Sequence, residues 1–103
     1  MLVADDRVNI SDGIASAPEL LVGLLEVRGL GILKLCHVKQ SRLALAVDLG
    51  GDLERLPHPS RHAELDLPMV TIDPRTASAT MRVSRALDCA LGQAVQVAGA
   101  FRA

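Results

Sequence analysis

The chain has 103 residues, half of them hydrophobic, with 11 Lys and Arg against 12 Asp and Glu and a formal net charge of −1. A chain of that length is expected to form one small domain over residues 1–103, and that charge gives no bulk attraction to nucleic acid or to an anionic membrane. One Phe and no Trp or Tyr leave no stacking platform for bases.

In chain order, Leu2–Ala4 reads as the end of a buried strand that runs into Asp5 and Asp6. Val8–Ile10 reads as a second extended piece, and Ser11-Asp12-Gly13 as a turn. Ser16 and Glu19 have the S-x-x-E spacing of a capping box, with Pro18 in the first turn. Leu20, Leu21, Leu24 and Leu25 would then share one face of a short helix. Arg28 to Gly31, "RGLG", breaks regular structure, and Ile32–Val38 can be strand. Leu43–Leu49, "LALAVDL", is short and almost wholly apolar, as in a central strand covered on both faces.

Gly50-Gly51 ends that strand. From Leu53 to Pro68 the chain is polar and proline-rich, which predicts a surface loop. Pro68–Ile72 is a further strand, and Asp73-Pro74 turns the chain. The last element is a helix whose apolar stripe runs through Ala79, Val83, Ala86, Leu87, Ala90, Leu91, Ala94 and Ala98, with Arg82, Arg85 and Gln93 off the stripe. That stripe suits either core packing or a seam with a second subunit. Interleaved strands and helices make α/β the expected class.

Cys36 and Cys89 form no C-x-x-C and read as reduced thiols of a cytosolic protein. No secretory signal precedes Asp5, and no apolar run reaches the roughly 18 residues of a membrane span. The expected location is therefore the cytoplasm, with no membrane and no nucleic-acid partner.

Two constellations carry chemistry. A strand ending in Asp5-Asp6 is how phosphate-handling α/β folds place a carboxylate beside Mg²⁺ or an attacking oxygen. It is equally the pattern of a solvated strand end. In "LLEVRGLGI", Leu24–Ile32, a carboxylate (Glu26) stands beside Arg28, Gly29 and Gly31. That suits a metal–phosphate site, and also a helix stop with a surface ion pair. His37, His58 and His62 complete no zinc spacing.

Taken together, "LVADDRV" and "APELLVGLLEVRGLGIL" resemble the HPr kinase/phosphorylase family. The match runs almost unbroken from Leu2 to Leu33, about a third of the chain. Beyond it, "LALAVDL", "ERL" and "VTIDP" keep the order of the short, single-domain members. The resemblance implies a partial phosphoenolpyruvate-carboxykinase-like nucleotide-binding domain with a C-terminal helix. It implies a kinase that uses ATP and Mg²⁺ to phosphorylate a serine of the phosphocarrier HPr, and can remove the group by phosphorolysis. It implies Asp6 as the base, with Asp5 beside it, and Glu26 as a Mg²⁺ ligand. Arg28, Gly29 and Gly31 fall in the signature segment Leu25–Lys34, the glycines on the nucleotide side. Arg55, in "ERL", and Arg75 match arginines of the active site.

The family's P-loop, G-x-x-G-x-G-K-S, precedes that strand and is not in this sequence; an upstream histidine is missing with it. The expectation is a catalytic domain truncated before its P-loop and impaired as a kinase. The phosphorolysis segment, P-V-R-P-G-R in the family, corresponds to "DPRTAS", Asp73–Ser78, where only Arg75 stays in register. Two further readings stay open: a non-catalytic, partner-binding remnant of the same fold, or a small kinase with another substrate. The expected partners are an HPr-like carrier and a second copy in a homo-oligomer.

Overall fold

The computed structural model describes residues 1–51 and 54–102. The chain divides into two compact units, Met1–Leu43 and Ala44–Ala103. Its class is mixed α/β: several small sheets and one C-terminal helix.

The first unit holds β1 (Asn9–Ser11), β2 (Ile14–Ser16), β3 (Leu24–Val27), β4 (Gly31–Lys34) and β5 (Gln40–Arg42). β1 and β2 form an antiparallel hairpin in which Ser11 faces Ile14. Its two-residue loop, Asp12-Gly13, has positive φ at both positions, 51° and 74°. That is the primed turn that Asp-Gly favours between strands. β5 pairs antiparallel with the other side of β2, so Ala15 sits mid-sheet and is 5% exposed.

The expected strand at Leu2–Ala4 reduces to one parallel bridge between Leu2 and His37, where the Val38 amide donates to the Leu2 carbonyl at 2.9 Å. Asp5 and Asp6 follow in a bend. The helix expected after Ser16 is also corrected. Ser16 belongs to β2, and only one 3₁₀ turn forms, Glu19–Leu21, with no side-chain cap. Gly23, at φ +76°, then turns the chain, and Leu24 and Leu25 continue as strand. Leucines at helical spacing do not outweigh a glycine immediately before a β hairpin.

Gly23 is required twice over. Its φ is one that L side chains rarely adopt, and a Cβ there would stand 2.6 Å from Nδ1 of His37. Gly23→Ala is expected to destabilise the first unit by about 1–3 kcal/mol, read as a lowered urea midpoint at unchanged slope. An unchanged midpoint would mean that His37 moves aside at no cost.

The second unit holds β6 (Ala46–Leu49), β7 (Arg61–His62), β8 (Leu67–Ile72) and α1 (Ala79–Ala90). The sheet order is β6-β8-β7, parallel between β6 and β8 and antiparallel between β7 and β8. The expected central strand is therefore an edge strand: among the described residues β6 has a neighbour on one side only, and Leu49 is 65% exposed. β8 takes the centre, and its Ile72 is 4% exposed. The long loop is corrected in part. Leu53 lies outside the described residues, but Arg61–His62 pairs with Leu67 and Pro68 across a turn. That turn is held by Arg61 on the Asp66 carboxylate at 2.9 Å and by the Leu65 amide donating to Nδ1 of His62 at 3.2 Å.

α1 packs on β8 and ends sooner than its stripe suggests. The Gly92 amide donates to the Cys89 carbonyl at 3.1 Å and the Gln93 amide to Asp88 at 2.8 Å. With Gly92 at φ +74°, this is a Schellman stop. Leu91, Ala94 and Ala98 therefore lie beyond the helix. No helix among the described residues is long and apolar enough to cross a membrane.

Candidate functional site

The carboxylates of the two sequence constellations meet in the first unit. Asp5, Asp6, Arg7, Leu21, Leu24, Glu26 and Ile32 line one cleft of about 110 Å³. Strand periodicity explains half of it. Leu24 and Glu26 are two apart on β3 and share a face, and Ile32 stands opposite Glu26 on β4. The bend at Asp5-Asp6 supplies the rest. On a strand, neighbours would point to opposite faces; in a bend both carboxylates reach the same cleft.

The two aspartates differ in what they do locally. Asp5 accepts a hydrogen bond at 3.1 Å from the backbone amide of Glu26. Among the described residues β3 has only β4 beside it, so this bond satisfies an amide on its free edge and ties the bend to the strand. Asp6 takes part in no such bond among the described residues and is exposed. Asp5 thus ties the bend to β3, and Asp6 stays open to the cleft among the described residues. Three carboxylates against Arg7 leave the cleft two charges negative at neutral pH, a setting that attracts a divalent cation.

Among the described residues, no three His, Cys, Asp or Glu side chains gather tightly enough to hold a metal ion by themselves. Mg²⁺ does not ask for such a cage. It is bound through one or two carboxylates, with water and substrate phosphates filling the octahedron. Glu26 fits that donor set.

Arg28 and Gly29 form the tight turn between β3 and β4, and Gly31 begins β4. None of the three lines the cleft. Gly29 has φ +84°, and a Cβ on either glycine would meet nothing within 4 Å. Their role here is to shape the turn, where the Leu30 amide reaches the Val27 carbonyl at 2.9 Å. Arg55 and Arg75 belong to the second unit.

Arg75 is held locally. Its Nε and one terminal nitrogen donate to the two carboxylate oxygens of Asp73 at 3.0 and 3.2 Å, and its backbone amide donates to the same carboxylate at 3.0 Å. These side-chain and backbone hydrogen bonds hold the Asp73 carboxyl below its ordinary value, and the same partnership raises Arg75. A lowered folded-state value means the contribution to stability is complete above the unfolded Asp value of about 3.9. It is lost as pH falls through the lowered value. A carbon-detected NMR titration is expected to place Asp73 below an unperturbed carboxylate, and Arg75→Gln to return it there. An unshifted Asp73 in the intact chain would contradict this geometry.

Arg7, Leu21, Leu24 and Ile32 are cleft residues that sequence reading misses. A helix face for Leu21 and Leu24 hides the strand alternation that pairs Leu24 with Glu26. No family model matches the chain, and no curated protein matches it.

Proposed function

We propose that this chain is the catalytic part of an HPr kinase/phosphorylase-like enzyme of the bacterial cytoplasm, built on a phosphoenolpyruvate-carboxykinase-like nucleotide-binding fold. Its reaction is ATP-dependent phosphorylation of a serine on an HPr-like phosphocarrier. The observation that carries this reading is the convergence of Asp5, Asp6 and Glu26, twenty residues apart in sequence, on one cleft. The resemblance assigns a base and a metal ligand to the same residues.

In this reading Asp6 accepts the proton of the serine hydroxyl as it attacks, and returns it in the reverse direction. Asp5 fixes the bend that presents Asp6 and covers the edge of β3. Glu26 would hold Mg²⁺, which would neutralise the charge on the phosphoryl group that ATP donates. Arg55 and Arg75 have an active-site role only through the resemblance; both belong to the second unit, where Arg75 forks onto Asp73. Gly29 and Gly31 would act only by setting the turn after Glu26.

The sequence contains no G-x-x-G-x-G-K-S, so the backbone cradle for the ATP phosphates is not among these residues. Affinity of this chain for Mg·ATP is expected to be no tighter than about millimolar. Calorimetry reads it directly, and micromolar binding would show that the cleft holds nucleotide by another route. The metal half of the reading is tested on the chain alone with millimolar Mn²⁺. Selective NMR line broadening at Asp5, Asp6 and Glu26, abolished by Glu26→Gln, is expected. Uniform or absent broadening would remove the metal role.

One observation favours the second reading, a non-catalytic module that docks a partner. Ile32, a wall of the cleft, is 71% exposed, and Leu20 in the neighbouring 3₁₀ turn is 90% exposed. A carrier protein would cover such side chains whether or not phosphate moves.

A further inference from the structure

The second unit has a larger cleft, of about 610 Å³, within the range of small-molecule sites. One wall is α1. Arg82, Arg85, Ala86 and Cys89 follow the i, i+3, i+4, i+7 spacing that puts side chains on one helix face, and all four line the cleft. The floor comes from β8, where Val70 and Ile72 lie two apart on one strand face. The third side is the C-terminal turn. There Oε1 of Gln96 accepts the Phe101 amide at 2.7 Å and holds the chain's only aromatic ring at the cleft. Arg55 reaches it from the segment before β7.

The charges are uneven. Among the described lining residues, three guanidiniums, Arg55, Arg82 and Arg85, face one carboxylate, Glu54, a net of two positive charges. Arg85 shares its charge with Asp88 at 3.1 Å. Arg55 and Arg82 make no ion pair among the described residues. Guanidinium forks match the oxygens of phosphate in pairs, and a phosphate monoester carries about 1.5–2 negative charges at neutral pH. The apolar floor and the Phe101 ring, in turn, suit a hydrocarbon or aryl body.

We propose that this cleft binds a small phosphate monoester with an apolar body, the phosphate held by Arg82 and Arg55 and the body packed between Ile72, Ala86 and Phe101. The site uses only the second unit and neither Asp6 nor Glu26, so it stands or falls separately from the kinase reading.

Phenyl phosphate is the probe, titrated into the full chain by NMR or calorimetry. The expected Kd is below about 1 mM. Arg82→Gln is expected to weaken binding about tenfold, the cost of losing a charge-assisted bond pair. Arg42→Gln, in the first unit, controls for net charge and should leave it unchanged. Phe101→Leu should weaken phenyl phosphate but not inorganic phosphate. Because Arg82 is exposed, its replacement leaves the fold intact. In a Cys36→Ser background, phenyl phosphate should also slow alkylation of Cys89, which lines the cleft. Equal affinity in Arg82→Gln would overturn the proposal. So would inorganic phosphate binding as tightly as phenyl phosphate, or unaltered Cys89 alkylation under saturating probe.

Discussion

Asp6→Asn, in a protein supplied with a fused P-loop segment, is expected to slow serine phosphorylation of HPr by about two to four orders of magnitude. That is the ordinary cost of removing a positioned base. The substitution keeps the size and polarity of the side chain and removes only its proton affinity. It leaves Asp5 in its bond with the Glu26 amide, so the bend survives and the loss belongs to chemistry. Asp5→Asn should act differently: its amide oxygen still accepts that bond, so the rate falls less. Glu26→Gln should instead raise the Mg²⁺ concentration needed for half-maximal rate. Equal rates for Asp6→Asn and the parent would take Asp6 out of the reaction.

The second large effect concerns association. Two separate folded units of these lengths would together expose about 6,700 Å² by the usual scaling of surface with mass. The chain exposes 7938 Å². Among the described residues the buried apolar set is Ala15 and Ile72, with no large side chain fully buried. Each bulky apolar side chain left in water forgoes roughly 1.5–3 kcal/mol of burial, against domain stabilities of about 5–15 kcal/mol. The excess surface is comparable to the 1,200–2,000 Å² that roughly defines a standard interface. The chain alone is therefore expected to self-associate or to melt broadly at low temperature. Size-exclusion chromatography with a thermal melt decides it. A monodisperse monomer melting cooperatively above about 60 °C, the upper part of the mesophile range, would contradict this.

What the sequence conveyed depended on how local each signal was. The Asp12-Gly13 turn and the strand at Pro68–Ile72 are set by short-range chemistry, and both form. The S-x-x-E capping box misled because Ser16 is claimed by pairing with Gln40, a partner that periodicity does not reveal. The final helix was legible, but its end was not read from Gly92, whose positive φ stops it while the Ala pattern runs on. "LALAVDL" had the composition of a central strand, and only the sheet order shows that β8 holds that place.

For the site, the residue types were legible and their grouping was not. Asp5, Asp6 and Glu26 were candidates separately; the bend and the alternation on β3 bring them together. The spacing places Arg82 and Arg85 off the apolar stripe of the last helix. Their cleft exists because the chain folds back after Gly92 and carries Phe101 to it, a non-local event with no signature in spacing.

The most direct measurement is the phosphorylation state of HPr itself. HPr is incubated with Mg·ATP and the P-loop-fused protein, then digested and read by mass spectrometry beside the Asp6→Asn protein. The account predicts one phosphoserine on HPr, formed by the parent and nearly lost with Asp6→Asn. An HPr that stays unmodified with folded, nucleotide-binding protein, or one modified equally by both, would contradict it.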